Sequence, residues 1–331
     1  MAKIKLQDIA EICRLDISTV SRALRDDPVV KSGTRKRIQK TAASLGYRPN
    51  LLARNLAGGR TRTIWLILPS LDATIDQQLV RHASHYANQQ DYTLFVALHD
   101  SDNFGDLVGR SCEHYRQILE SAAQGTADGV IVVPRRGADD AYLLKDLINQ
   151  EFPIVFLDNH PDGLASSAVT SENESGAREL TRRCLEGGAT GAILLFSEPN
   201  TAAQARLEGT RAELRQCGVP FVEQLTPEGL ENLGSCIAII ASSQTHHILP
   251  FVAKNGQHFK DKTLIFGVFD DWVGEPAPAK TVYVAVQDAA AMAKFAIDRV
   301  IAQIEKRPDS VQRMVRVPIL EFKESMTYRT Q

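Results

Sequence analysis

Residues 16–24 read DISTVSRAL. Asp16 is of the N-cap type: its carboxylate can accept from the free N–H groups at a helix start and complement the dipole there. At helical spacing Val20, Ala23 and Leu24 fall on one face, and Ile17, Ser18, Ser21 and Arg22 on the other. The outward face therefore carries small residues near its N-terminal end and one guanidinium. Such a helix can enter the major groove of DNA without meeting the sugar–phosphate walls, and its arginine can reach guanine or phosphate.

The flanks support this. Leu6, Ile9, Ala10 and Cys13 recur at helical spacing just before it, and residues 14–16 leave room only for a turn. A third helix is expected over residues 33–45, burying Ile38, Ala42 and Leu45 and stopping at Gly46, a natural left-handed C-cap. Helix, short turn, helix and support helix is the helix-turn-helix layout. A plain three-helix bundle has the same periodicity, so charge must separate the two. Residues 1–60 hold 13 Lys/Arg against 5 Asp/Glu, a net of +8, and a total of −2 leaves −10 for the rest. A basic head on an acidic body points to a polyanion partner for the head alone.

The whole chain has 331 residues and is 44% hydrophobic, enough for two or three domains with proper cores. No apolar run approaches the length of a membrane span, and the charged N-terminus lacks a signal-peptide core. The cysteines Cys13, Cys112, Cys184, Cys217 and Cys236 are odd in number and form no CxxC pair. They read as reduced thiols of a bacterial cytoplasm, the expected location, and as neither a disulfide frame nor a zinc site.

After the third helix comes YRPNLLARNLAGGRTRTI, residues 47–64. Asn50 can cap a short helix over residues 51–56 that stops before Gly58-Gly59. So short a helix does not stand alone in water, and DNA is a candidate to order it. Leu56 at its tip suits a wedge into a base step from the minor groove. A frayed interdomain linker is the other reading.

Taken together, Asp8-Ile9-Ala10, Ser18-Thr19-Val20-Ser21-Arg22, Thr34-Arg35, Gly46-Tyr47-Arg48-Pro49-Asn50 and Ala53-Arg54-Asn55-Leu56 resemble the headpiece of the lactose/galactose repressor (LacI/GalR) family without gaps. The resemblance implies that Ile17, Ser18 and Arg22, with Ser21 on the same face, read bases in the major groove. It also implies that Ala53 and Leu56, with Asn50 and Arg54, belong to a hinge helix entering the minor groove. Two positions depart: Lys5 replaces the usual Ser or Thr cap, and Arg14 the usual turn glycine.

From Thr63 on, apolar runs of strand length alternate with amphipathic segments: TIWLILPS, TLFVAL, GVIVVP, IVFLD, AILLFS, AIIAS, LIFGVFD and TVYVAV. This pattern indicates parallel sheets covered on both faces. Many of these strands end in polar residues, among them Ser70, Asp158, Asp270 and Gln287. Ligands of open α/β sheets bind beyond the carboxyl ends of strands. The body also resembles the family, as a type I periplasmic-binding-protein-like fold of two doubly wound subdomains. That resemblance implies an effector cleft lined by Asp158, Arg206, Asp270 and Gln287. Ser70 joins them as a strand tip. ASSQTHH replaces the usual Asn-Asp, which puts Ser243 in an altered position, and Trp272 reads either as a stacking platform or as a wall residue. Metal binding by His246-His247 is not expected.

The domain reading is a DNA-binding head over 1–48, a hinge over 49–62 and an effector-binding and dimerisation body over 63–331. Within the body the N-subdomain takes about 63–160 plus 289–318, and the C-subdomain about 161–288 plus 319–331. An enzyme on a doubly wound sheet is the main rival, and its best support is GGATG at residues 187–191. That run ends a helix and precedes a strand, the reverse of a phosphate-binding loop. A solute-binding protein fits neither the basic head nor the N-terminus. The expectation is a non-enzymatic, cofactor-free homodimeric regulator, most plainly a repressor of a carbohydrate operon. Its partners would be pseudo-palindromic operator DNA and a sugar or sugar phosphate, with a purine as the alternative effector. No leucine heptad follows Lys306, so no coiled-coil tetramerisation tail is expected.

Overall fold

The computed structural model describes residues 4–24, 26–47, 60–99, 108–134, 138–161, 163–196, 200–242, 248–270, 272, 278–310 and 314–326. The chain divides into two compact units, Met1–Thr61 and Arg62–Gln331.

The first unit contains α1 (Leu6–Cys13), α2 (Ile17–Leu24) and α3 (Ser32–Ser44). Ile9, Ala10, Cys13, Val20, Ala23, Ile38 and Ala42 of the set read from periodicity form its buried core, joined by Val30 from the loop before α3, while Leu6, Leu24 and Leu45 of that set pack against it only partly buried. Lys5 offers no cap, and Asp8 makes up part of the loss, its carboxylate accepting the Lys5 N–H at 2.7 Å. Arg14 stands at φ +52°, in the left-handed region, which explains why glycine suits that turn. Gly46 at φ +64° closes α3, and the Tyr47 N–H returns to the Ala42 carbonyl at 2.9 Å. Two of the α3 arginines are used internally. Arg35 pairs with the Asp26 carboxylate at 3.2 Å, and Arg37 donates to the Cys13 carbonyl, also at 3.2 Å.

The second unit runs β1 (Thr63–Leu68), α4 (Thr74–Gln89), β2 (Thr93–Leu98), α5 (Val108–Ser121), β3 (Gly129–Val132), α6 (Ala138–Asn149), β4 (Ile154–Leu157) and β5 (Ser167–Ser171). It continues through α7 (Asn173–Glu186), β6 (Gly191–Leu195), α8 (Thr201–Gln216), β7 (Phe221–Val222), α9 (Pro227–Glu231), β8 (Cys236–Ala241), α10 (Leu249–Asn255), β9 (Thr263–Phe269) and β10 (Thr281–Gln287). It closes with α11 (Ala289–Ile304), β11 (Met314–Val317) and β12 (Ile319–Met326).

Two six-stranded sheets result, in the orders β11-β5-β4-β3-β1-β2 and β12-β10-β9-β8-β6-β7. Every pairing is parallel except β10 with β12. Both faces of each sheet are covered, so central strands such as β3 and β4 are buried throughout, as continuous apolar runs require. In the first sheet Leu66 and Leu79 pack with Met292 and Ile297 of α11 on one face, while Tyr115, Leu119, Leu144 and Phe156 fill the other. In the second, α7 and α8 cover one face through Leu180, Cys184 and Leu214, and Leu230, Ile248 and Val252 pack the opposite one.

The chain passes between the sheets at three places: after Ser171, after Gln287, and at Pro318 between β11 and β12. The first crossing lies past the boundary expected near residue 160, because β5 pairs with β4 in the first sheet. SAVTS has serine at both ends and no continuous apolar run, and so gives no strand signal. GGATG behaves as read: Gly188 stands at φ +105° after α7, and a Cβ on Gly191 would lie 2.5 Å from the Leu233 carbonyl oxygen. Among the described residues no helix is long and apolar enough to cross a membrane.

Candidate functional sites

In the first unit α2 buries Val20 and Ala23 and turns its other face outward. Ile17 is 48% exposed, an unusual state for isoleucine, and Ser18 and Arg22 are exposed beside it. Ser21 is half-buried on the same face. The first helical turns thus present one apolar side chain, hydroxyls and a cation, a set able to meet a thymine methyl, base edges and phosphate. Lys36 and Lys40 are exposed cations of α3, whereas Arg35 and Arg37 also bond within the unit as described. Asn50, Ala53, Arg54 and Leu56 lie outside the described residues.

In the second unit the strand tips bring together four of the residues singled out from sequence. Asp158 and Asp270 each follow the last residue of a strand, and both adopt left-handed backbone, φ +63° and +78°. Non-glycine residues in that region carry strain and cluster at functional sites. Arg206 on α8 is 6% exposed. Its Nε donates to Asn173 Oδ1 at 2.7 Å, its Nη1 to the Ser242 carbonyl at 3.2 Å, and its guanidinium lies 4.0 Å from the centre of the Phe269 ring. The Gln287 amide is buried, accepting from Ser171 Oγ at 2.6 Å and donating to Asp270 Oδ1.

The remaining expected residues fall less centrally. Ser70 Oγ accepts the Asp72 N–H at 3.2 Å and serves the turn after β1. Trp272 packs on Phe266, ring centres 5.5 Å apart, and joins a hydrophobic cluster. Ser243 lies outside the described residues, as do Arg135, Arg136, His246 and His247.

Asp76 is a residue the sequence did not reveal. It sits in the first turn of α4, where an acid ordinarily just complements the dipole. Here burial, and then the charges of Asp158, Asp270 and Asp72, push its carboxyl up to about 7. Burial also raises the Asp158 carboxyl, with Arg206 pulling it the other way. Asp158 Oδ2 accepts from Asn159 Nδ2 at 2.8 Å, whereas Oδ1 is buried and meets no hydrogen-bond donor. A buried acceptor left open is costly unless something fills the role. The tips therefore bring carboxylate acceptors, a glutamine amide and one guanidinium together, a set whose chemistry suits a molecule rich in hydroxyl donors. Among the described residues no group of three metal-ligating side chains occurs.

Residues 5–50 match the family described as bacterial regulatory proteins, lacI family. The chain is 28% identical over 230 residues to catabolite control protein A of Staphylococcus xylosus, covering 69% of this chain and 66% of that protein, just under two thirds of its length. Its fold is similar to the lac repressor dimer bound to operator and the anti-inducer ONPF, with a TM-score of 0.74 at 18% identity over 97% of this chain and 99% of that one. It is also similar to the transcriptional regulator CelR in complex with cellobiose, with a TM-score of 0.62 at 18% identity over 98% and 99%. The head thus matches the lacI family of bacterial regulatory proteins over residues 5–50, and the chain shares its fold with the lac repressor.

Proposed function

We propose that the protein is a bacterial cytoplasmic repressor of a carbohydrate operon that binds a pseudo-palindromic operator as a homodimer. In this reading Ile17, Ser18, Ser21 and Arg22 contact the major groove, and Asn50, Ala53, Arg54 and Leu56 the minor groove. A single recognition helix reads one half-site, and symmetric pairing supplies the second. A small polyhydroxylated effector binds among Asp158, Arg206, Asp270 and Gln287, with Ser70, Ser243 and Trp272 as further contacts of this proposal, and sets operator affinity.

The observation that carries the effector reading is the buried, unmatched Oδ1 of Asp158 beside the buried Arg206 guanidinium. Vicinal sugar hydroxyls satisfy both. Between the two expected ligand classes, the pocket favours a neutral sugar. Asp76, Asp158 and Asp270 repel a phosphate dianion, and Arg206 already commits Nε and Nη1 to protein acceptors.

A thermal-shift panel of neutral sugars, sugar phosphates and purines tests this, since a ligand at 100 times its Kd adds about 2.7 kcal/mol. A neutral sugar is expected to shift the transition, and Arg206→Ala to abolish the shift while leaving ligand-free operator binding near normal. A response to purines alone would sink the sugar reading. In gel shifts Arg22→Ala is expected to lose roughly 1–3 kcal/mol of discrimination per half-site. An unchanged ratio of specific to non-specific binding would refute the recognition-helix assignment.

A further inference from the structure

Two short hydrogen-bond chains tie the pocket residues of one subdomain to those of the other, and both run through the first crossing between the sheets. In the first, Arg206 Nε donates to Asn173 Oδ1 at 2.7 Å, Asn173 Nδ2 to Thr170 Oγ1 at 3.2 Å, and Thr170 Oγ1 to the Asp158 carbonyl at 2.8 Å. In the second, Ser171 Oγ donates to Gln287 Oε1 at 2.6 Å and Gln287 Nε2 to Asp270 Oδ1. Each chain points its donors in one direction, an arrangement in which every bond polarises the next. Thr170, Ser171 and Asp158 stand on the first sheet, Arg206 on α8, and Gln287 and Asp270 at tips of the second sheet.

The setting is tightly determined. Asn173 is 4% exposed, and as the first residue of α7 it follows the crossing directly. The same stretch is pinned to another crossing, because the Glu172 N–H donates to the Val317 carbonyl at 2.8 Å. Ser171 Oγ also lies 3.4 Å from Met292 Sδ of α11, beyond the remaining crossing.

We propose that Thr170 and Asn173 are positioning residues that couple the orientation of Arg206 to the angle between the two subdomains, with Ser171 doing the same for Gln287. The proposal rests on the reading of the strand-tip pocket as the effector site. A molecule that draws on Arg206 or Asp270 competes directly with a bond of one chain, so occupancy reaches the crossing strands without any intervening rearrangement.

Two backbone amides that are not links of either chain report the subdomain angle. The His160 N–H donates to Thr201 Oγ1 at 3.1 Å and the Ala202 N–H to Asn159 Oδ1 at 3.2 Å, both across the gap between subdomains. Hydrogen exchange by mass spectrometry on the full chain, with no small molecule added, reads them. Thr170→Val keeps the shape and strand propensity but removes the hydroxyl, and Thr170→Ser retains it. Thr170→Val is expected to speed exchange at His160 and Ala202 about fivefold or more, the order of one lost hydrogen bond, while Thr170→Ser stays close to the unsubstituted protein. Acceleration confined to the peptide around residue 170, or equal acceleration in both variants, overturns the proposal. Should Thr170→Val exchange globally as an unfolded chain, Ser171→Ala is judged by the same two amides. Because no ligand enters the measurement, its failure removes the coupling and leaves the effector reading intact, whereas a failed ligand panel does the opposite.

Discussion

Asp76 carries a pH dependence that its position in the chain does not advertise. Its carboxyl titrates near 7 in the folded protein against an ordinary value of 3.8. A folded-state value above the unfolded one means that the native protein holds the proton more tightly. The associated stability is full below about pH 4 and is lost as pH rises towards 7. The uncorrected shift corresponds to about 4 kcal/mol, and solvent screening of this half-buried group brings it to about 2 kcal/mol. Asp76→Asn is therefore expected to stabilise the protein by about that amount at pH 8 and to flatten its stability between pH 4 and 7. Chemical denaturation across that range measures it, and a variant with the original pH slope would show that Asp76 does not carry the effect.

The α7–α8 pair sets the geometry at the scale of elements. Gly209 stands one helical turn beyond Arg206, and a Cβ there would lie 2.2 Å from the Glu174 carbonyl oxygen. Backbone cannot yield as a side-chain tip can, so the glycine lets α8 approach α7 closely enough for Arg206 to reach Asn173. Glu213, 2% exposed, locks the same pair by accepting from Arg182 Nε at 3.0 Å. Gly209→Ala is expected to separate the helices and lower stability by about 1–3 kcal/mol, the usual range for overpacking. It should also weaken any ligand held by Arg206. Near-normal unfolding midpoints would mean that the helices part without strain. The charge on Glu213 is a separate matter, since ion pairs that reach solvent contribute little by themselves.

At the scale of the molecule, the first sheet leaves β2 as an edge with apolar side chains outward. Phe95 is 49% and Leu98 37% exposed, and Phe95 stacks on Trp65 with ring centres 4.6 Å apart. Edge strands are ordinarily blunted by charge or proline, and an apolar one marks a surface that pairs with something. We propose that a second copy covers it in the homodimer. Phe95→Glu with Leu98→Glu is expected to give a mass of one chain in sedimentation and to weaken operator binding steeply, because each monomer then reads one half-site. A double variant that keeps the mass of two chains would place the dimer contact elsewhere.

What the sequence determined by itself was everything set by short-range periodicity and charge. The helix-turn-helix core from Ile9 to Ala42, the capping role of Gly46 and eight apolar strands were all legible, because burial imposes a period that side-chain chemistry displays directly. The tips Asp158 and Asp270 were legible for the same reason, as polar residues ending apolar runs. Tertiary structure alone decided the rest. β5 mixes polar with apolar residues and β11 carries exposed ones, so only their neighbours in the sheet define them as strands. Asp76 stands in the first turn of a helix, an ordinary place for an acid, and only the fold sets it near two strand tips, where low dielectric and like charge raise its proton affinity. Asn173 is, by sequence, one more polar residue at a helix start. Its role depends on Thr170 and Arg206, the latter 33 residues away, and contacts of that range leave no periodic trace in a chain.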